Sequence, residues 1–256
     1  MAKQAFYIRV EARDCGARLH LNGAPVLSGD ARQPWSAVAP MSEWMVDGDN
    51  LLRAEITSLG DAPKFEASLC IGELGVAPEV DNAFLSVALT IPEGVPPVLP
   101  LVLEASGKAA HPWGRWYWQD APRILAGRRT QTDIFEFVSE IHQGLSAGDV
   151  DPLIAGCRIK FNDVGLCYDL QPPEVEAQMR QAWAGIQAQP NFALAPLDLD
   201  DLRLLLHADS RVAEPQTLEG APLLRQLEPS EGRVWSLPLF VSRLDPVRAE
   251  LMAVVR

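Results

Sequence analysis

The stretch Arg18-Leu19-His20-Leu21-Asn22-Gly23-Ala24-Pro25-Val26-Leu27 sets two short apolar runs on either side of an Asn-Gly pair. Asn-Gly supplies the two positive φ values of a tight hairpin, so the stretch predicts two antiparallel strands joined by a two-residue loop. Upstream, Phe6, Ile8 and Val10 alternate with Tyr7, Arg9 and Glu11, the period of a strand with one buried face. Alternating runs recur at residues 51–56, 65–71, 84–91 and 98–103, separated by Gly, Pro, Asp and Asn. Short strands, frequent turns and no long helical period predict an all-β sandwich over residues 1–106.

Two pieces of this region carry a family likeness. Leu21-Asn22-Gly23-Ala24-Pro25-Val26 and Met41-Ser42-Glu43-Trp44-Met45-Val46-Asp47-Gly48-Asp49-Asn50-Leu51-Leu52 resemble jelly-roll accessory domains of the galactose-binding-like type, found beside many glycosidases. The resemblance covers residues 1–60. It implies a jelly-roll-like sandwich in which Gly48 and Asn50 shape a turn and Trp44 plugs one end. Carbohydrate recognition would need Trp35 or Trp44 as a solvent-facing stacking platform.

Residues 107–129 change character. Trp113, Arg115, Trp116 and Trp118 fall within six positions, and rings of that size bury large apolar areas rather than forming a flexible tether. This segment is expected to be a Trp/Arg-rich linker that glues two domains, with those four residues as its candidate binding patch.

Beyond it, Ile134, Phe137, Val138, Ile141 and Leu145 recur at helical spacing after Thr132, a candidate N-cap. A short helix is expected over residues 150–157, and a third from Pro172-Pro173 to just before Pro190, with Val175, Met179, Trp183 and Ile186 on one face. Strand-like runs follow at 202–207, 211–213, 222–227, 233–243 and 249–255. Helices followed by an antiparallel meander make residues 130–256 an α+β domain with three helices and a curved antiparallel sheet. This order, with the Phe137-Val138-x-x-Ile141-His142 helix, resembles the NTF2-like cone fold, where three helices cross a curved sheet and leave a pocket. In such enzymes a pocket His or Asp acts as general base, which implies His142, Asp163 and His207 as catalytic candidates and Tyr168 as a further polar lining. A cone filled by Trp183, Phe192 and Trp235 would remove that pocket.

The remaining residues offer little chemistry. The four histidines form no i, i+3 or i+4 pair and no zinc signature, and Gly-x-Ser-x-Gly is absent. Cys157 and Cys167 could approach if Asn162-Asp163-Val164-Gly165 is a hairpin turn, but two thiols outside a zinc-ribbon pattern predict no metal. The Asp198-Leu199-Asp200-Asp201 cluster reads as a solvated turn. No cofactor is implied.

The whole chain sets the class. Its 256 residues, 48% hydrophobic and 22% charged with a mean hydropathy of zero, suit two globular domains. A formal charge of −12 without a dense basic block argues against nucleic acid and anionic membranes as partners. The opening residues lack the apolar run of a signal peptide, and four scattered cysteines read as reduced thiols, so a cytoplasmic location is expected. The expectation is a non-enzymatic protein acting through protein contact, with a basic partner or as an accessory module. The alternative is a small-molecule or catalytic pocket in residues 130–256. A dimer could form through an uncovered sheet.

Overall fold

The computed structural model describes residues 3–92, 97–228, 235–245 and 251–255. The chain divides into two compact units, Met1–Arg115 and Trp116–Arg256. An antiparallel sheet region comes first, then a helical segment, then a second antiparallel sheet, making the chain α+β.

In the first unit, β1 (Gln4–Leu21), β2 (Ala24–Gly29), β3 (Trp35–Pro40), β4 (Gly48–Glu73), β5 (Ala83–Ala88) and β6 (Leu101–Ala109) form one six-stranded antiparallel sheet. Long strands β1 and β4 pair from Gln4↔Glu73 to Leu21↔Leu52. Their halves have different neighbours. The first half of β1 carries β3 and the facing half of β4 carries β5, whereas the second half of β1 carries β2 and its partner half of β4 carries β6. The register slips after Arg13, where residues 60–63 of β4 have no partner on β1, and again after Gly16, where Thr57 is skipped. Such irregularities bend a ladder locally. A Cβ added to Gly107 on β6 would touch Leu85 of β5 at 3.4 Å, although β5 and β6 share no ladder, so the sheet folds over and does not lie flat. The described strands do not close into a barrel.

Strand period explains the core. Ile8, Val10 and Ala12 of β1 pair with Leu69, Ala67 and Phe65 of β4, and farther along Ala17, Leu19 and Leu21 share a face with Ile56, Ala54 and Leu52; all are buried. Asn22 (φ 52°) and Gly23 (φ 83°) form the hairpin turn that their side chains favour. Two expectations need correction. The runs at 51–56 and 65–71 belong to one strand, β4, and residues 107–109 end β6 rather than begin a linker. Strand β3 had no alternating signature strong enough to be expected.

In the second unit, α1 (Tyr117–Asp120), α2 (Arg128–Ser146), α3 (Asp151–Gly156), α4 (Arg158–Tyr168) and α5 (Pro172–Gln187) precede β7 (Leu202–His207), β8 (Val212–Thr217), β9 (Leu224–Arg225), β10 (Ser236–Leu237), β11 (Phe240–Arg243) and β12 (Leu251–Val255). The main sheet has the order β12-β11-β8-β7, all antiparallel, and β9 pairs with β10. Among the described residues five α-helical segments occur where three were expected: α2, α3 and α5 match the expected ones, and α1 and α4 are additional. Helix α2 buries Thr130, Ile134, Val138, Ile141 and Leu145 on one stripe and lies against β7. Its N-cap is Gly127; Thr132 sits inside the helix and its hydroxyl donates back to the Arg128 carbonyl at 3.1 Å. The start of α5 matches its sequence, with Pro172 in the first turn and a Gln171/Glu174 capping box.

The largest difference is α4. Residues 158–168 form a helix where a hairpin at Asn162-Asp163-Val164-Gly165 was the condition for bringing Cys157 and Cys167 together. Ten residues along a helix separate the two thiols by about 15 Å of axial rise, so they do not meet. All four cysteines are free thiols and buried. Burial pushes the Cys157 thiol up to about 11. A raised thiol pKa favours the folded state's neutral form. The contribution of Cys157 to stability is therefore intact below its ordinary value of 9.0 and is lost as pH climbs toward about 11. Alkylation by iodoacetamide at pH 8, followed by peptide mass spectrometry, is expected to leave Cys157 unmodified in the native chain and modify it in urea.

Candidate functional site

The four residues of the expected binding patch differ in burial. Trp113 is half-buried, stacked on His111 at 5.0 Å and edge-on to Phe6 at 6.0 Å, while His111 Nε2 lies 3.1 Å from the Met45 carbonyl. Arg115 is exposed. Trp116 and Trp118 are buried, at 1% and 5% exposure, around the short helix α1, where the Trp116 amide donates to Gln119 Oε1. Nearby, the Tyr117 hydroxyl donates to the Arg243 carbonyl and Ile124 N donates to the Ser210 carbonyl, fixing this segment to the second unit's own strands and turns. The indoles of Trp116 and Trp118 are therefore no ready platform for a ligand.

The sugar-stacking candidates fare similarly. Trp44 is 1% exposed, and Trp35 is half-buried with its ring over Gly29 and its Nε1 donating to the Cys15 carbonyl at 3.4 Å. What Trp44 neighbours instead is a polar knot. Asn50, buried, accepts from Val46 N (2.9 Å) and Asn22 Nδ2 (2.8 Å) and donates to the Val46 and Gly48 carbonyls (both 2.9 Å). Asn22 Nδ2 also donates to the Trp44 carbonyl at 2.7 Å, and Leu51 N donates to Asn22 Oδ1 at 3.0 Å. The Asn-Gly hairpin is thus tied to the Gly48 turn.

Of the three catalytic candidates, His142 lies at the edge of the α2 stripe with Nε2 2.9 Å from the Ala195 carbonyl. Asp163 lies on α4, half-buried. His207 ends β7 on the face opposite the helices: Leu202, Leu204 and Leu206 point to the helix-packed core, so Arg203, Leu205 and His207 point away. Thus β7 separates the His207 imidazole from the core to which α2 contributes, and His142 and His207 do not converge on one cavity.

His207 belongs to a different constellation. On its face, His207 Nε2 lies 3.0 Å from Glu214 Oε2, Gln216 Nε2 donates to Glu214 Oε1 at 2.7 Å, and Arg203 Nη2 donates to Gln216 Oε1 at 3.1 Å. The His207 and Glu214 side chains are 9% and 8% exposed. Both side-chain oxygens of Glu214 are engaged, as a buried polar group requires. Arg203 Nε has no hydrogen-bond partner among the described residues. No signal in the sequence marks this chain beyond the alternation that puts Glu214 and Gln216 on one face of β8.

On the helix side of the second unit, three rings pack together. Trp183 of α5 meets Phe192 edge-on at 5.6 Å and Trp235 at 5.5 Å, and Phe192 meets Trp235 at 5.8 Å. Trp183 is 3% exposed and joins the core formed by Ile134, Val138, Phe161 and Leu224. Open depressions occur on the first unit: one of about 420 Å³ lined by Gln4, Ile71, Gly72, Glu73 and Asn82, and one of about 100 Å³ lined by Arg9, Glu11, Glu66 and Ser68. Among the described residues no group of three or more His, Cys, Asp or Glu is placed to hold a metal ion, and no helix is long and apolar enough to cross a membrane. No family model, curated protein or solved structure matches the chain.

Proposed function

We propose that the chain is a non-enzymatic binding module that acts through contact with another protein, one whose surface carries compensating positive charge. The carrying observation is the packing of Trp183, Phe192 and Trp235 on one another and on the helix–sheet core, the three rings whose packing the alternative of a C-terminal pocket does not accommodate. The separation of His142 from His207, and the engagement of both Glu214 oxygens, support the same reading. A chain of −12 attracts a basic partner and speeds its encounter at low salt. In finer terms, the first unit fits a jelly-roll-like sandwich, since its strands bend mid-length and the sheet folds over. The second fits an NTF2-like layering of helices on a sheet, with its cone filled. We place the protein in the cytoplasm, in keeping with its free thiols.

Affinity capture from a native lysate at two salt concentrations tests this. A stoichiometric, basic partner retained at low salt and depleted at higher salt is expected. Recovery of none at either salt would contradict the proposal.

A further inference from the structure

We propose that β3 is a docking edge for an extended, lysine-bearing segment of a partner protein, which joins the first unit's sheet as a further antiparallel strand; this rests on the protein-contact reading above. Among the described residues the sheet has four edge strands, β2 and β3 on one side, β5 and β6 on the other. Natural edges are guarded by charge, proline, a bulge or a covering element. The β5 and β6 edges are turned toward each other where Gly107 backs onto Leu85, and β6 carries Glu104 and Lys108. Strand β2 contains Pro25, which lacks an N–H, and its pairing with β1 slips between Leu19 and His20. Strand β3 has no charge, internal proline or register slip over Trp35-Ser36-Ala37-Val38-Ala39, and only its first residue is backed by another edge, the Trp35 ring lying over Gly29 of β2. It is uncharged, keeps regular register with β1 over six pairs, and meets proline only at its last position. Beyond the β1 ladder, the backbone groups of 35–39 have no backbone partner among the described residues. Val38 is 43% exposed.

The neighbouring face selects the occupant. Paired residues share a face, so Ser36, Glu11 and Glu66 form one row across β3, β1 and β4, and Val38, Arg9 and Ser68 form the next. Two carboxylates directly opposite each other repel. Arg9 bonds Glu11 at 3.0 Å, but exposed Glu66 has no ion-pair partner among the described residues. These four side chains, Arg9, Glu11, Glu66 and Ser68, line the smaller depression. Strands lie about 4.8 Å apart, so a lysine opposite Ser36 starts about 10 Å from the Glu11 backbone, within reach of two long side chains extended toward each other over the short serine. In an antiparallel strand the residue facing Val38 comes two positions before the one facing Ser36. The recognised pattern is therefore apolar-x-Lys.

The probe is an acetylated, amidated peptide Thr-Ile-Thr-Val-Thr-Lys-Thr, followed by fluorescence anisotropy and by amide shifts of the ¹⁵N-labelled chain. Saturable binding with shifts centred on residues 35–40 is expected. Glu11→Gln with Glu66→Gln is expected to weaken it about tenfold, by removing the facing charges. Val38→Lys, exposed and tolerated by the fold, is expected to abolish it, as is replacing the peptide lysine by glutamate. Thermal melts of both variants should match the natural chain. Failure to bind, shifts confined to another strand, affinity unchanged by the paired Gln variants, or self-association through β3 without peptide binding would each overturn the proposal. A stoichiometric partner captured equally by the natural chain and by Val38→Lys overturns the edge while leaving the protein-contact reading standing; capture by neither overturns both.

Discussion

Asn50→Ala is expected to destabilise the first unit by about 3–4 kcal/mol in urea unfolding, because four hydrogen bonds vanish and buried backbone groups lose partners. The residue looks replaceable in sequence, one polar position in a Gly-Asp-Asn turn. In the fold it is 1% exposed and joins the Asn22 hairpin to the Val46–Gly48 backbone through both its amide nitrogen and its oxygen. Asn50→Asp keeps the acceptor but deletes the donor to two carbonyls, so it too is expected to be costly. A loss below about 1 kcal/mol for Asn50→Ala would mean that water replaces the network without penalty, which a buried site does not permit.

Trp183→Ala is expected to cost about 3–5 kcal/mol in the second unit, the range for truncating a buried aromatic and leaving a cavity. The indole packs against Phe192 and Trp235, which also meet each other, and belongs to the core that the helices share with the sheet. Its Nε1 has no hydrogen-bond partner among the described residues, so Trp183→Phe, which removes that donor and keeps most of the ring, is expected to cost distinctly less. Free indole added to Trp183→Ala should raise its melting temperature and leave the natural chain unchanged, since only the variant has a vacancy to fill. Equal stabilisation of both proteins would show that an open apolar pocket exists beside Trp183.

The order of the elements was legible where local chemistry and tertiary demand agree. Asn22-Gly23 wants the positive φ values that it adopts, the α2 stripe is the face it buries, and Phe6, Ile8 and Val10 are buried on β1 as their alternation predicts, although Tyr7 between them is buried as well, its hydroxyl donating to the Glu73 carbonyl. What escaped was set by non-local contacts. Helix α4 lacks a clean stripe: Leu166 on its surface is 50% exposed, and Asn162-Asp163-Val164-Gly165 carries turn-forming residues. Gly165 is there for proximity, since a Cβ would lie 2.6 Å from the Leu170 carbonyl. The continuity of β4 was hidden by Gly60-Asp61-Ala62-Pro63, which reads as a strand break but is an unpaired excursion within one strand. For the candidate sites, proximity in sequence misled. The indoles at 113, 116 and 118 look equivalent in sequence, yet Trp113 packs on His111 and Phe6 while Trp116 and Trp118 are buried around α1. The His207–Glu214–Gln216–Arg203 chain depends on a β7–β8 register that no local pattern specifies.

Isothermal titration of the purified chain with its captured partner, at low and moderate salt, bears most directly on a function exercised through protein contact. Saturable association at a fixed stoichiometry, weakening as salt rises, is the predicted result. No heat of association at either salt, with the chain instead turning over a small molecule through His142 or His207, would contradict it.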